Sequence, residues 1–116
     1  MAYFCIYFYH GGITILELKI NKASSGSSLT LSLEGRLDTT TFSQLDAVVT
    51  GELGGIKELV FEMSSLEFIS SAGLRVLLNA QKIMNKQGTM VVKHSVPSVL
   101  KVFYISGFDQ LLNVEK

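Results

Sequence analysis

Leu66-Glu67-Phe68-Ile69-Ser70-Ser71-Ala72-Gly73-Leu74-Arg75-Val76-Leu77-Leu78 passes from the end of an apolar strand region, through a short serine-bearing turn, into a helix. Beyond the serines, Gly73, Val76, Leu77, Ala80, Ile83 and Met84 fall on one apolar stripe. Arg75, Asn79, Lys82 and Lys86 lie together on the opposite side, and Gly88 ends the helix. This order puts a hydroxyl at a helix start. There the unpaired backbone N–H groups and the positive end of the dipole favour an added anion.

Upstream, Ile56 to Met63 holds the continuous apolar run Leu59-Val60-Phe61. It suits a strand buried on both faces, with parallel neighbours. Before it, Phe42, Leu45, Val48 and Val49 share one face of a first helix, with Asp38 or one of Thr39, Thr40 and Thr41 as its N-cap. Gly51, Gly54 and Gly55 stop that helix. Earlier still, Ile13–Asn21, alternating from Leu16, and Leu29–Glu34 read as strands, joined by the small polar run 23–28 into a hairpin that Gly35-Arg36-Leu37-Asp38 closes.

Downstream, Thr89 to Lys93 is a short apolar strand. A helix starts at Ser95-Val96-Pro97, with proline tolerated in the first turn. It buries Val96, Val99, Leu100 and Phe103 and stops at Gly107. Leu111 to Val114 is a last short strand or turn. The order β-β-α-β-α-β-α-β predicts an α/β fold: a mixed, mostly parallel sheet with helices packed on it and right-handed crossovers.

The aromatic run from Met1 to Tyr9, closed by His10-Gly11-Gly12, stands apart from this pattern. It lacks the positive flank and cleavage site of a signal peptide and is too short to span a bilayer as a helix. Three readings fit it: an extra edge strand, which is favoured, an interface segment, or an extension from an upstream start. Residues 1–12 are thus read as an N-terminal extension and 13–116 as the domain proper.

The 116 residues make one domain, and a hydrophobic share of 47% is enough for a core. Ten basic and ten acidic residues balance, with no clustered basic surface of the kind nucleic acid requires. A single cysteine, Cys5, excludes an internal disulfide, and with only His10 and His94 besides no metal site of standard spacing can be assembled. A reducing, cytoplasmic setting is the simplest fit.

Chemistry-bearing patterns are sparse. Neither phosphate-cradling glycine loop is present, nor the Gly-x-Ser-x-Gly elbow. A triad of Ser71, His94 and Asp38 has no spacing to support it. Glu62 and Glu67 beside the serine turn read as solvated or capping carboxylates, Arg75 and Lys82 as a solvated helix face, and Met63, Met84 and Met90 as core filling. From the residues alone, Ser70 or Ser71 is best read as a plain helix N-cap.

Two segments carry a resemblance that changes this reading. Gly35-Arg36-Leu37-Asp38 resembles the Gly-Glu-Leu-Asp segment of STAS domains, the anti-sigma factor antagonist family. The run from Leu59 to Leu74, ending Phe68-Ile69-Ser70-Ser71-Ala72-Gly73-Leu74, is similar to that family's strand leading into Phe-Met/Ile-Asp-Ser-Ser/Thr/Ala-Gly-Leu. Gly88 to Val92 and Val99 to Phe108 also match in type and position, so the resemblance spans residues 13–116.

The resemblance implies a STAS fold and a partner-switching cycle. The unphosphorylated domain would bind an anti-sigma factor that is also a serine kinase, and so free the sigma factor. Phosphorylation at Ser71 would break that complex, and a phosphoserine phosphatase would restore it. Ser71 is the implied acceptor by motif position, with Ser70 the alternative. Asp38, Thr39, Ser70, Ser71, Ala72, Gly73 and Arg75 are the implied partner-binding surface. The implied role is not enzymatic and needs no cofactor; ATP belongs to the kinase. Two departures stand out: the Asp that usually precedes the acceptor is Ser70, and the usual Asp of the preceding strand is Glu62.

Two other classes of function remain in view. One is a STAS scaffold or small-ligand-sensing module that is never phosphorylated, with the aromatic N-terminus open to a homodimer. The other is a small hydrolase with Ser71 as nucleophile, for which labelling by a fluorophosphonate is expected to fail.

Overall fold

The structure, a computed structural model, describes residues 2–10 and 13–115, with side chains from Leu18 to Glu115. Five strands, β1 (Ala2–His10), β2 (Ile13–Ser25), β3 (Ser28–Leu37), β4 (Glu58–Ile69) and β5 (Thr89–Lys93), lie side by side in chain order. Helices α1 (Phe42–Glu52), α2 (Ser71–Asn85) and α3 (Pro97–Ser106) follow β3, β4 and β5 in turn. The expected α/β fold is therefore present, with the N-terminal run adding an edge strand antiparallel to β2.

β1–β2 and β2–β3 are antiparallel, whereas β3–β4 and β4–β5 are parallel. The sheet is mixed, but parallel pairs do not predominate. Consecutive strands joined by tight turns must return antiparallel, and only the helical crossovers allow parallel pairing. The last expected strand shrinks to a single parallel bridge between Val92 and Val114. Gly107, at φ 80, caps α3 and leads into a 3₁₀ turn over Phe108–Gln110, which lies between α3 and that bridge.

Along β3, Leu29, Leu31, Leu33, Gly35 and Leu37 are buried while the residues between them are partly or fully exposed. β5 repeats this with Met90 and Val92. One sheet face thus carries the core, closed by Leu45, Val48 and Val49 of α1, Val76, Leu77, Ala80 and Met84 of α2, and Val99 and Phe103 of α3. This corrects the expectation that β4 is buried on both faces: Val60 is only partly covered, and its neighbours on that face of β4, Glu58 and Glu62, are exposed and partly exposed. Burying one face needs only alternate apolar residues, and Leu59, Phe61 and Met63 supply them.

β4 also runs further than the sequence suggests, straight through Ser64 and Ser65. Opposite β3, Ser32 pairs with Glu62 but Glu34 with Ser65, and Gly35 pairs with Leu66 but Arg36 with Phe68. β4 thus carries one extra residue at each of two bulges. The buried residues change spacing accordingly, from Phe61 and Met63 to Leu66 and Ile69, which keeps all of them on the core face. Gly35, at φ 102, supplies the backbone freedom β3 needs at the second bulge.

Candidate functional site

β3 and β4 are parallel and end level with each other, Leu37 opposite Ile69. Their C-terminal ends are where open α/β sheets place their ligands. Asp38 and Ser70 leave the sheet side by side, and the Ser70 amide donates to the Leu37 carbonyl at 2.9 Å. Ser70 is extended (φ −101, ψ 177), and its carbonyl accepts the first helical bond of α2 from the Leu74 amide at 2.9 Å.

Ser70 occupies the N-cap position of α2, but its hydroxyl makes no cap bond. Its Oγ is buried, with no hydrogen-bond partner among the described residues. The capping reading thus holds for position and fails for chemistry. Ser71, the first helical residue, is exposed. The first turn of α2 holds no acidic residue, so its free amide groups and the positive end of the dipole have no carboxylate from the helix itself.

Gly73 explains how α2 can start so close to β3. A Cβ there would lie 2.7 Å from Leu37 Cγ, 2.9 Å from Ile69 Cγ1 and 2.9 Å from the Leu37 carbonyl oxygen. Only glycine fits this approach without displacing backbone.

The turn from β3 to α1 is held by Asp38 and Thr41. The Asp38 carboxylate accepts from the Thr40 amide at 2.9 Å and the Thr40 hydroxyl at 2.7 Å. Thr41, fully buried, donates its hydroxyl to the Arg36 carbonyl at 2.8 Å and accepts from the Asp38 amide at 2.9 Å. The Arg36 guanidinium lies 3.5 Å from Asp38 and stacks over the Phe68 ring at 4.4 Å. Burial is the largest influence on the Asp38 carboxyl and opposes its ionisation. The Thr40 hydroxyl and amide together with Arg36 outweigh it, and hold the pKa below its ordinary 3.8.

An open groove of about 480 Å³ runs between α1 and α2. Thr39, Phe42 and Asp46 line one wall, and Ser71, Arg75 and Asn79, one helical turn apart, line the other, with Ala72 and the buried Val76 between. Of the expected contact residues, Thr39, Ser71, Ala72 and Arg75 thus share one surface. Asp38, Ser70 and Gly73 stand behind it and shape it. Glu62 is elsewhere: it pairs with His94 Nδ1 at 2.5 and 2.8 Å. His94 pairs with Glu62, and neither it nor Asp38 lines the groove with Ser71.

Phe42, Asp46, Val76 and Asn79 are groove residues that the sequence did not single out. Phe42 was expected on the buried face of α1, yet it is 37% exposed. α1 starts only at Phe42, and the first residue of a helix projects beyond the layer its later turns bury. Thr39, Phe42 and Asp46 are spaced three and four apart, which could have pointed to a shared face.

Comparison with known proteins agrees with this architecture. The family model described as "Mlab, STAS domain" matches residues 20–113. A Bordetella bronchiseptica protein described as an anti-sigma factor antagonist, BtrV, is 34% identical over 99 residues, covering 84% of this chain and 85% of that one. The crystal structure of an anti-sigma factor antagonist from Mycobacterium paratuberculosis superposes with a TM-score of 0.77 at 19% identity, over 84% of this chain and 85% of the other. The phosphorylated form of the Bacillus cell fate determinant SpoIIAA gives 0.66 at 19% identity, over 84% and 91%.

Proposed function

Because the chain belongs to the STAS domain family, we propose that it acts as an anti-sigma factor antagonist switched by phosphorylation of Ser71. Unphosphorylated, it binds an anti-sigma factor that is also a serine kinase, and so releases the sigma factor. Phosphorylation ends that binding and a phosphoserine phosphatase restores it. The chain itself performs no catalysis and needs no cofactor, and its place of work is the cytoplasm.

The observation that carries this reading is the contrast between the two serines. The Ser71 hydroxyl is exposed in a groove, on a helix whose first turn holds no acidic residue, while the Ser70 oxygen is buried. A kinase can reach the first and not the second. A phosphate brings about −1.5 to −2 charges at pH 7. The helix N-terminus accommodates that charge within the fold, whereas a packed partner surface over the groove does not. SpoIIAA has been solved in both forms, in keeping with a fold that tolerates the modification.

Phosphosite mapping on protein isolated from its own cells, with pull-downs by wild type and Ser71→Asp, tests the reading. Phosphate on Ser71 and a kinase-type partner captured only by wild type are expected. Absence of phosphate, with identical partners for both forms, would overturn it. The groove volume, within the usual range for small-ligand sites, favours the second reading in that event: a ligand-sensing STAS module that is never phosphorylated.

A further inference from the structure

We propose that Arg75 reads the state of Ser71: its guanidinium engages a phosphate on that serine, and the engagement withdraws it from the partner surface. This rests on Ser71 being the modified residue. Ser71 and Arg75 stand four apart on α2 and line the same groove. Side chains on a helix lean toward its N-terminus, so Arg75 reaches back over the turn that carries Ser71.

Arg75 is free to do so. It is exposed and makes no side-chain hydrogen bond or ion pair among the described residues, although Asp46 lines the opposite wall. It is also the only basic residue among the described residues lining the groove. Ser70, where an acidic residue would compete for the guanidinium, is neutral. A phosphate on Ser71 would offer the planar fork two oxygens, whereas no ion pair joins Arg75 to Asp46 among the described residues.

The switch then has two effects. The unphosphorylated groove presents one cation, Arg75, to an acidic group of the partner. The phosphorylated groove presents a negative charge, with that cation drawn back along its own helix. Modification therefore both adds repulsion and removes an attraction.

The test uses the full chain with phosphoserine installed at position 71 by an expanded genetic code, so that no kinase has to be identified. Phosphorus NMR titration is run on this protein with Arg75 intact, with Arg75→Gln and with Arg75→Lys. An exposed pair shifts the second phosphate pKa by about 0.3 unit or more. The intact protein should titrate lowest, Arg75→Gln higher by that amount, and Arg75→Lys between them. Equal values for all three would overturn the proposal. That result would leave the switch at Ser71 standing, since the cellular phosphosite map decides that separately.

Discussion

The amide of Ser70 donates to the carbonyl of Leu37 at 2.9 Å, which fixes the start of α2 to the end of β3. Through this one bond two segments more than thirty residues apart in the chain share an edge. The Ser70 backbone is thereby committed to the fold, while the next residue, Ser71, is left at the surface.

That division of labour separates the two serines experimentally. The Ser70 hydroxyl neither caps α2 nor finds another partner among the described residues, so Ser70→Ala should change stability by less than about 0.5 kcal/mol. A true N-cap would lose about 1 kcal/mol. Urea denaturation midpoints distinguish the two values, and a loss at the capping level would show that the hydroxyl does cap the helix in solution.

Ser71→Asp should fold at least as well as wild type, because a carboxylate in the first turn is favoured by the dipole by about 0.3–1 kcal/mol. The same substitution should abolish partner capture. Thermal melting alongside the pull-down separates loss of binding from loss of fold; a lowered melting temperature would contradict the reading of the helix start as receptive to anions.

Gly73→Ala tests the close approach of α2 to β3. The added carbon meets the Leu37 carbonyl oxygen at 2.9 Å as well as two side chains, and the backbone oxygen cannot swing away. A loss of about 1–3 kcal/mol is expected from such overpacking. An unchanged midpoint would mean that α2 can slide away from β3 without cost.

Asp38 should make stability depend on acid. Its folded-state pKa lies below 3.8, so the unfolded chain takes up this proton first as the pH falls. The resulting stabilisation is complete above about pH 5 and disappears as pH drops through the folded value. Asp38→Asn should therefore be less stable than wild type at pH 7, with the gap narrowing as the pH falls below 3.8. Urea midpoints across that range measure it, and a gap independent of pH would show that the fold does not favour the ionised carboxylate over the neutral one.

Phe42→Ala probes the groove wall that the sequence hid. A 37% exposed ring is still mostly covered, so a loss of about 1 kcal/mol and a melting temperature lowered by a few degrees are expected. If the ring anchors the partner, affinity should fall about tenfold, near 1.4 kcal/mol. Unchanged affinity would confine the partner's footprint to the α2 side.

The strands and helices were legible because their signals are local. Apolar periodicity over 71–85, proline at the start of α3 and glycine at its end each act within a few residues. The two bulges in β4 were not legible. An extra residue in a strand is defined only against its neighbour, and the run from Met63 to Ile69 alone cannot say that Ser64 and Ser65 remain paired with β3. Burial on one face of β4 was hidden for the same reason: a continuous apolar run is compatible with one or two covering layers.

The sequence by itself determined the order of elements, the family resemblance and the position of the serine turn at a helix start, since each depends on neighbours along the chain. Tertiary structure alone decided which serine is reachable, which expected contact residues share a surface, and that Phe42 and Asp46 face Ser71 and Arg75. Those relations arise where α1 and α2 meet over one sheet face, and a contact between helices some thirty residues apart leaves no periodic trace in either.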